Sequence, residues 1–166
     1  MPGWSADSRL TTLFTRRRED LLRLAILLTG SYTEGEDAVQ DAVLAVGRSW
    51  RGLVAQASEA AAYSYLRTAV IRKVIDARRR RMPLGEIPDV AVEEPGFLNA
   101  EVDQRFFTLV AALPAQQRTV LVLRYHADLD DGRIATLLHV SRGTVRSNAM
   151  RGLDKLREQL ANEETP

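Results

Sequence analysis

Apolar residues recur at three- and four-residue spacing along almost the whole of this 166-residue chain, and no segment alternates apolar with polar as a half-buried strand would. That property confines the fold to the all-α class. Leu10, Phe14, Leu21, Ala25 and Leu28 share one helical face, and the pattern stops at Gly30, a residue suited to a left-handed helix end. Thr33-Glu34-Gly35-Glu36 has the form of a capping box, in which a hydroxyl and a carboxylate each satisfy an orphan backbone donor, so a second helix is predicted to start near Glu34. Val39, Val43, Val46 and Trp50 form its buried stripe. After a softer stretch from Arg51 to Ala61, a third helix is predicted from about Ala62 to Arg81, with Leu66, Val70 and Val74 as its apolar row.

Pro83, Pro88 and Pro95, half of the 6 prolines, then fall with Gly85 and Gly96 in an acidic stretch that reads as a linker. Beyond it Val102, Phe106, Val110 and Leu113 open a second periodic block, which breaks at Leu113-Pro114, and Gln116 to Tyr125 forms a further helix. The chain therefore reads as two small helical domains, residues 1–81 and 101–166, joined by a flexible linker over 82–100. Their relative orientation is expected to become fixed on a partner.

The absence of cysteine excludes a disulfide scaffold, thiolate-held zinc, iron–sulfur clusters and cysteine nucleophiles. The start, MPGWSADSRL, lacks the apolar core of a signal peptide, and the apolar runs fall far short of the roughly twenty residues that span a bilayer, so a cytoplasmic protein with no direct membrane insertion is expected. A net charge of +1 taken alone argues against nucleic acid, but it is a cancellation. Residues 1–81 hold 14 basic and 9 acidic side chains, and residues 82–166 hold 9 basic and 13 acidic ones. Between Met82 and Asp103 there are six acids and no Lys or Arg, whereas Arg142, Arg146, Arg151, Lys155 and Arg157 crowd around Asp154.

The C-terminal part carries the most specific pattern. Ile134, Ala135 and Leu138 line one face of a short helix, Val140 plugs a turn, Ser141 can cap the next helix, and Val145, Ala149, Leu153 and Leu156 face back to the core. This is helix-turn-helix spacing. At about 100° per residue, Thr144, Arg146, Ser147, Met150 and Arg151 lie opposite Val145. Arginines there could pair with guanine and hydroxyls could reach phosphate; the plainer reading is a solvated basic helix in an ordinary bundle. On the third helix Tyr63, Tyr65, Arg67, Thr68, Arg72 and Arg79 interleave rings and cations as a nucleic-acid strand with exposed bases would require, although four terminal arginines also suit a helix dipole. On the second helix, Asp37, Asp41, Leu44 and Arg48 share the face opposite the stripe, an acidic surface that suits protein rather than DNA. His126, Asp128, Asp130, Asp131 and His139 are the only cluster resembling metal ligands, and helix capping by Asp130 and Asp131 is the simpler reading. No metal, cofactor or catalytic residue is called for.

Assembled in order, these segments resemble the extracytoplasmic-function (ECF) sigma factors, two-domain initiation subunits of bacterial RNA polymerase. Leu21 through Gly30, Glu36-Asp37-Ala38-Val39-Gln40-Asp41-Ala42, Tyr65-Leu66-Arg67 and Asp76-Ala77-Arg78-Arg79 look like sigma region two. Leu113-Pro114-Ala115-Gln116-Gln117-Arg118, Leu123-Arg124-Tyr125, Ile134-Ala135 and Ser141 through Ser147 look like region four. The resemblance implies that Asp37, Gln40, Asp41 and Leu44 bind core RNA polymerase. It implies that the loop from about Arg51 to Ala61, with Tyr63, Tyr65, Arg67, Thr68, Arg72 and Arg79, holds the minus-ten element as melted strand. It further implies that Arg142, Thr144, Arg146, Ser147, Met150 and Arg151 meet the duplex minus-thirty-five element, Arg146, Met150 and Arg151 nearest the bases, and that an anti-sigma factor is a candidate partner. Three positions depart from the family pattern: Arg72 stands where an asparagine is usual, Asn148 where Arg or Lys is common, and Gly132 where a better helix former is usual. These bear on promoter preference more than on class. A stand-alone helix-turn-helix regulator is the alternative reading, and a small helical metal-dependent hydrolase a third.

Overall fold

The computed structural model describes residues 8–49, 57–81, 92 and 101–165; among these described residues seven α-helices and one π-helical turn take up the large majority, and there is no strand. Helices α1 (Ser8–Thr29), α2 (Tyr32–Ser49) and α3 (Glu59–Arg79) pack on one another as the N-terminal unit. The C-terminal unit contains α4 (Glu101–Ala111), α5 (Ala115–Leu121), the π turn (Val122–His126), α6 (Asp131–Leu138) and α7 (Arg142–Glu164). Trp50, Arg51 and the expected linker, except Val92, lie outside the described residues, as do the side chains of Val102 and Phe106.

Gly30 ends α1 as the sequence predicts, with φ 79° and its amide donating to Ile26 O at 2.7 Å. The cap that follows differs from the expected one. Ser31 Oγ accepts from the Glu34 amide at 3.3 Å and α2 starts at Tyr32, so Thr33 sits inside the first turn. Two overlapping S/T-x-x-E strings compete here, and the one nearer the left-handed Gly30 is used. Val39 and Val46 are buried and Val43 half-buried, as their spacing requires. Ser58 caps α3, its Oγ accepting from Ala61 N at 3.2 Å, so the helix begins at Glu59, three residues ahead of the predicted start.

The second half of α1 is buried on every side. Leu21, Leu22, Leu24, Ala25, Ile26, Leu27 and Leu28 are all buried, whereas an amphipathic helix covering one neighbour would bury a single stripe. The reason is that α2 and α3 cover one side while α4, α5 and the π turn cover another. The two units thus meet over the end of α1. Arg118, only 2% exposed, crosses that boundary: its Nε donates to Leu27 O at 2.9 Å and its Nη1 to Leu113 O at 3.0 Å. Arg78 of α3 donates to Leu28 O. The last carbonyls of α1, which have no helical partner of their own, are satisfied from both units. Arg67 adds a second crossing, its Nη2 donating to Ala127 O at 3.0 Å and its Nη1 to His126 O at 3.5 Å, and Arg79 Nη2 donates to Leu137 O at 3.1 Å.

Two consequences are measurable. Replacing Arg118 with Met keeps most of its volume but leaves two buried carbonyls without this donor, so unfolding free energy falls by about 1–3 kcal/mol, read as a lower urea midpoint at unchanged m. Burial holds the His126 imidazole below the usual histidine range, reinforced by Arg67 and Arg23 and opposed by Asp20 and Asp128. The unfolded chain then takes up more protons, so this contribution is present above the unfolded pKa, about 6.5, and is lost as pH falls through the depressed folded value. His126→Gln makes the fall in melting temperature between about pH 7 and pH 5 shallower.

Candidate nucleic-acid interface

Helix-turn-helix geometry is built from two caps. Asp130 Oδ1 accepts from Arg133 N at 2.8 Å and starts α6, which is the capping role that its position suggests. His139 ends α6 in the left-handed region (φ 54°), and Ser141 Oγ accepts from Thr144 N at 3.0 Å to start α7. Val145, Asn148, Ala149 and Gly152 turn inward, and a Cβ at Gly152 would stand 2.7 Å from Leu121 Cδ1, so α7 lies against α5. Asn148 spends its amide on Thr144 O at 3.1 Å within the helix, which fits a buried rather than a DNA-facing position.

The opposite face is as the spacing predicts. Arg142, Arg146, Ser147, Met150 and Arg151 are exposed, Met150 by 63%. Thr144 is half-buried, its hydroxyl 3.0 Å from Ser141 Oγ. Beside this face Arg124 grips Asp131, with Nη2 2.6 Å from Oδ1 and 2.7 Å from Oδ2 and Nε 3.0 Å from Oδ1. Those bonds raise the Arg124 pKa above its ordinary value. Arg146 Nε stands 3.6 Å from the same carboxylate. Arg142 lies across Gly132, where an added Cβ would meet its Nη2 at 2.8 Å and displace the exposed end of that side chain. Periodicity could not reveal the Arg124–Asp131 clasp, because its partners belong to different elements joined by a turn.

On α3 the expected residues divide. Tyr65 (48% exposed) and Arg72 are open to solvent, while Thr68 is half-buried and its hydroxyl donates to Ser64 O at 3.0 Å. Tyr63 is half-buried between the guanidinium groups of Arg17 (4.8 Å) and Arg67 (5.6 Å), and burial followed by Asp20 raises its phenol pKa. Arg67 and Arg79 are engaged by carbonyls of the C-terminal unit. Arg51 lies outside the described residues. On α2, Asp37, Gln40, Asp41 and Leu44 are all exposed, and the acids form no ion pair among the described residues. No described helix is long and apolar enough to cross a membrane.

The chain matches the family descriptions Sigma-70 region 2 over residues 13–83 and Sigma-70, region 4 over residues 103–156. It is 30% identical to the RNA polymerase sigma-E factor of Streptomyces avermitilis over 152 residues, covering 89% of this chain and 83% of that one. Identity to the ECF RNA polymerase sigma factor SigL of Mycobacterium tuberculosis is 28% over 160 residues, 91% of this chain and 88% of SigL. A solved structure of the sigma factor RpoE in complex with the anti-sigma factor NepR from Bartonella quintana has a similar fold, with TM-score 0.51 at 20% identity over 91% of this chain and 96% of that chain. Both sigma regions occur here in order, with relatives matched over most of their length, and the chain belongs to the ECF sigma factors of bacterial RNA polymerase.

Proposed function

We propose that this sigma factor joins core RNA polymerase through the outer face of α2, holds the melted minus-ten strand along α3, and reads the duplex minus-thirty-five element with α7. Residues 1–81 carry the first two of these working parts, 101–166 the third, and 82–100 the acidic connection between them. The observation that carries the reading is the α2 face, where Asp37, Gln40 and Asp41 share an exposed face with Leu44, 42% exposed, on a helix whose other side is core. Carboxylates there repel DNA and suit a basic protein surface, for which a stand-alone regulator has no use. The chain acts in the cytoplasm and performs no covalent chemistry; binding energy for the unstacked strand holds the promoter open while polymerase makes RNA.

Arg146, Met150 and Arg151 are assigned to base edges and Arg142, Thr144 and Ser147 to positions nearer phosphate, because a guanidinium can donate twice to guanine while hydroxyls suit backbone oxygens. In α3, Tyr65 and Arg72 present a ring and a cation to the strand, with Thr68 between them and Arg51 assigned to the same strand. Tyr63, Arg67 and Arg79 contribute once the carbonyls that engage the two arginines are exchanged for phosphate, since charge-assisted bonds are roughly twice as strong as neutral ones. The solved RpoE structure is of a complex with an anti-sigma factor, and a partner of that class is assigned here by analogy.

Pull-down with core polymerase separates this reading from a stand-alone regulator: tight binding to duplex promoter without association with core would reject it. Reversing both Asp37 and Asp41 to Lys abolishes core binding while far-UV circular dichroism stays unchanged, and intact run-off transcription by that variant rejects the interface. Arg146→Ala costs about 1–3 kcal/mol at one base pair of the minus-thirty-five element, measured as relaxed preference at that position in a randomised promoter library.

A further inference from the structure

The first turn of α6 holds a carboxylate that the capping of the helix does not use. Asp130 is the cap, so the neighbouring Asp131 side chain is released to face the π turn on one side and α7 on the other. Arg124 takes both of its oxygens at 2.6 and 2.7 Å, and this pair is mostly shielded, with side-chain exposures of 26% and 22%. Oδ2 remains 3.6 Å from Arg146 Nε, although the Arg146 side chain is 66% exposed. We propose that Asp131 is a specificity-determining positioning residue, which holds the Arg146 side chain by its Nε and so aims the two Nη groups at the base it reads. This inference rests on the assignment of Arg146 as a base-reading residue.

The chemistry of the guanidinium favours this arrangement. A free exposed arginine samples many rotamers, and any of its five N–H donors can meet a phosphate or a base. With Nε held by Asp131, the outward donors are the terminal pair, the geometry that matches two acceptors on one guanine edge. Arg124 makes such a carboxylate tolerable beside DNA. Its charge balances that of Asp131, so Arg146 remains the net cation of the three, and the bidentate clasp prevents Asp131 from following Arg146 when that side chain moves. Asp131 thus selects a geometry for Arg146 without strengthening attraction to DNA. Removing its charge should weaken discrimination while slightly strengthening attraction to any duplex, a combination that loss of structure would not produce.

The test uses holoenzyme assembled from the full chain and core polymerase, scored on a promoter library randomised across both elements. Arg146→Ala first locates the base pair at which preference is lost. Asp131→Asn, which keeps shape, and Asp131→Ser, which suits a first helical turn, are then compared with wild type. Both variants are expected to reduce preference fivefold or more at that base pair alone, to leave the minus-ten profile unchanged, and to bind nonspecific duplex at least as tightly as wild type. Combining either with Arg146→Ala is expected to relax preference no further. Loss spread over all minus-thirty-five positions or into the minus-ten profile, or an equal further loss in the Arg146→Ala background, makes Asp131 merely structural and overturns the proposal. A flat profile for Arg146→Ala itself instead rejects the underlying reading of α7, and the proposal with it; a position-specific loss for Arg146→Ala with none for the Asp131 variants overturns the proposal alone.

Discussion

One guanidinium decides how the two halves of this sigma factor meet. Leu27 and Leu28 in the last turn of α1 are buried, so the carbonyls that a helix end leaves unpaired must find protein donors. Arg118 reaches Leu27 O from α5 and Arg78 reaches Leu28 O from α3. Burial lowers the Arg78 pKa and proximity to Arg118 lowers it further, yet both cations lie at the negative end of the α1 dipole, where their charge is best accommodated. Because Arg118 also binds Leu113 O, the same side chain fixes the turn between α4 and α5. From α5 onward the π turn, α6 and α7 follow by direct packing, so the orientation of α7 traces back to this buried contact.

The crossings made by Arg67 and Arg79 share that chemistry but not that setting. Each guanidinium meets carbonyls near the end of an element, those of the π turn and of α6, and Arg79 does so at the surface. Arg118 has no comparable exposure. The contact between the units therefore has a dry anchor and a wet margin, and water or a competing anion can reach only the margin.

What the sequence disclosed depended on whether a signal was local. Ser141, Asp130 and the Val145–Ala149 spacing are local, and the helix-turn-helix stands where they place it. The stripe through Leu10, Leu21, Ala25 and Leu28 was also legible, but the burial of Leu22, Ile26 and Leu27 was not, since α1 is covered by several elements at once, with Gly35 of α2 against Ile26 and Arg118 of α5 at the Leu27 carbonyl, which its own spacing does not register. The cap of α2 moved from Thr33 to Ser31 because two valid strings overlap and the geometry after Gly30 chooses between them. Arg118 follows a glutamine pair and Asp131 completes an acidic pair, and neither composition reveals that one bridges two units and the other clasps Arg124.

Charge counting fails here for a physical reason that the contacts make plain. The near-zero net charge understates the cationic surface, since acids and bases are segregated along the chain. The arginine count in turn overstates it, because Arg67, Arg78, Arg79 and Arg118 donate to main-chain carbonyls and Arg124 is balanced by Asp131. Four of these five are directed at peptide dipoles, so they consume donors without cancelling charge, and their fields persist in the molecule. Arg146 and Arg151 on α7 and Arg72 on α3 are exposed, with most of their donors toward solvent. A surface that recognises DNA is set by how few guanidinium groups remain outward with donors to spare, and by which neighbours hold them in place.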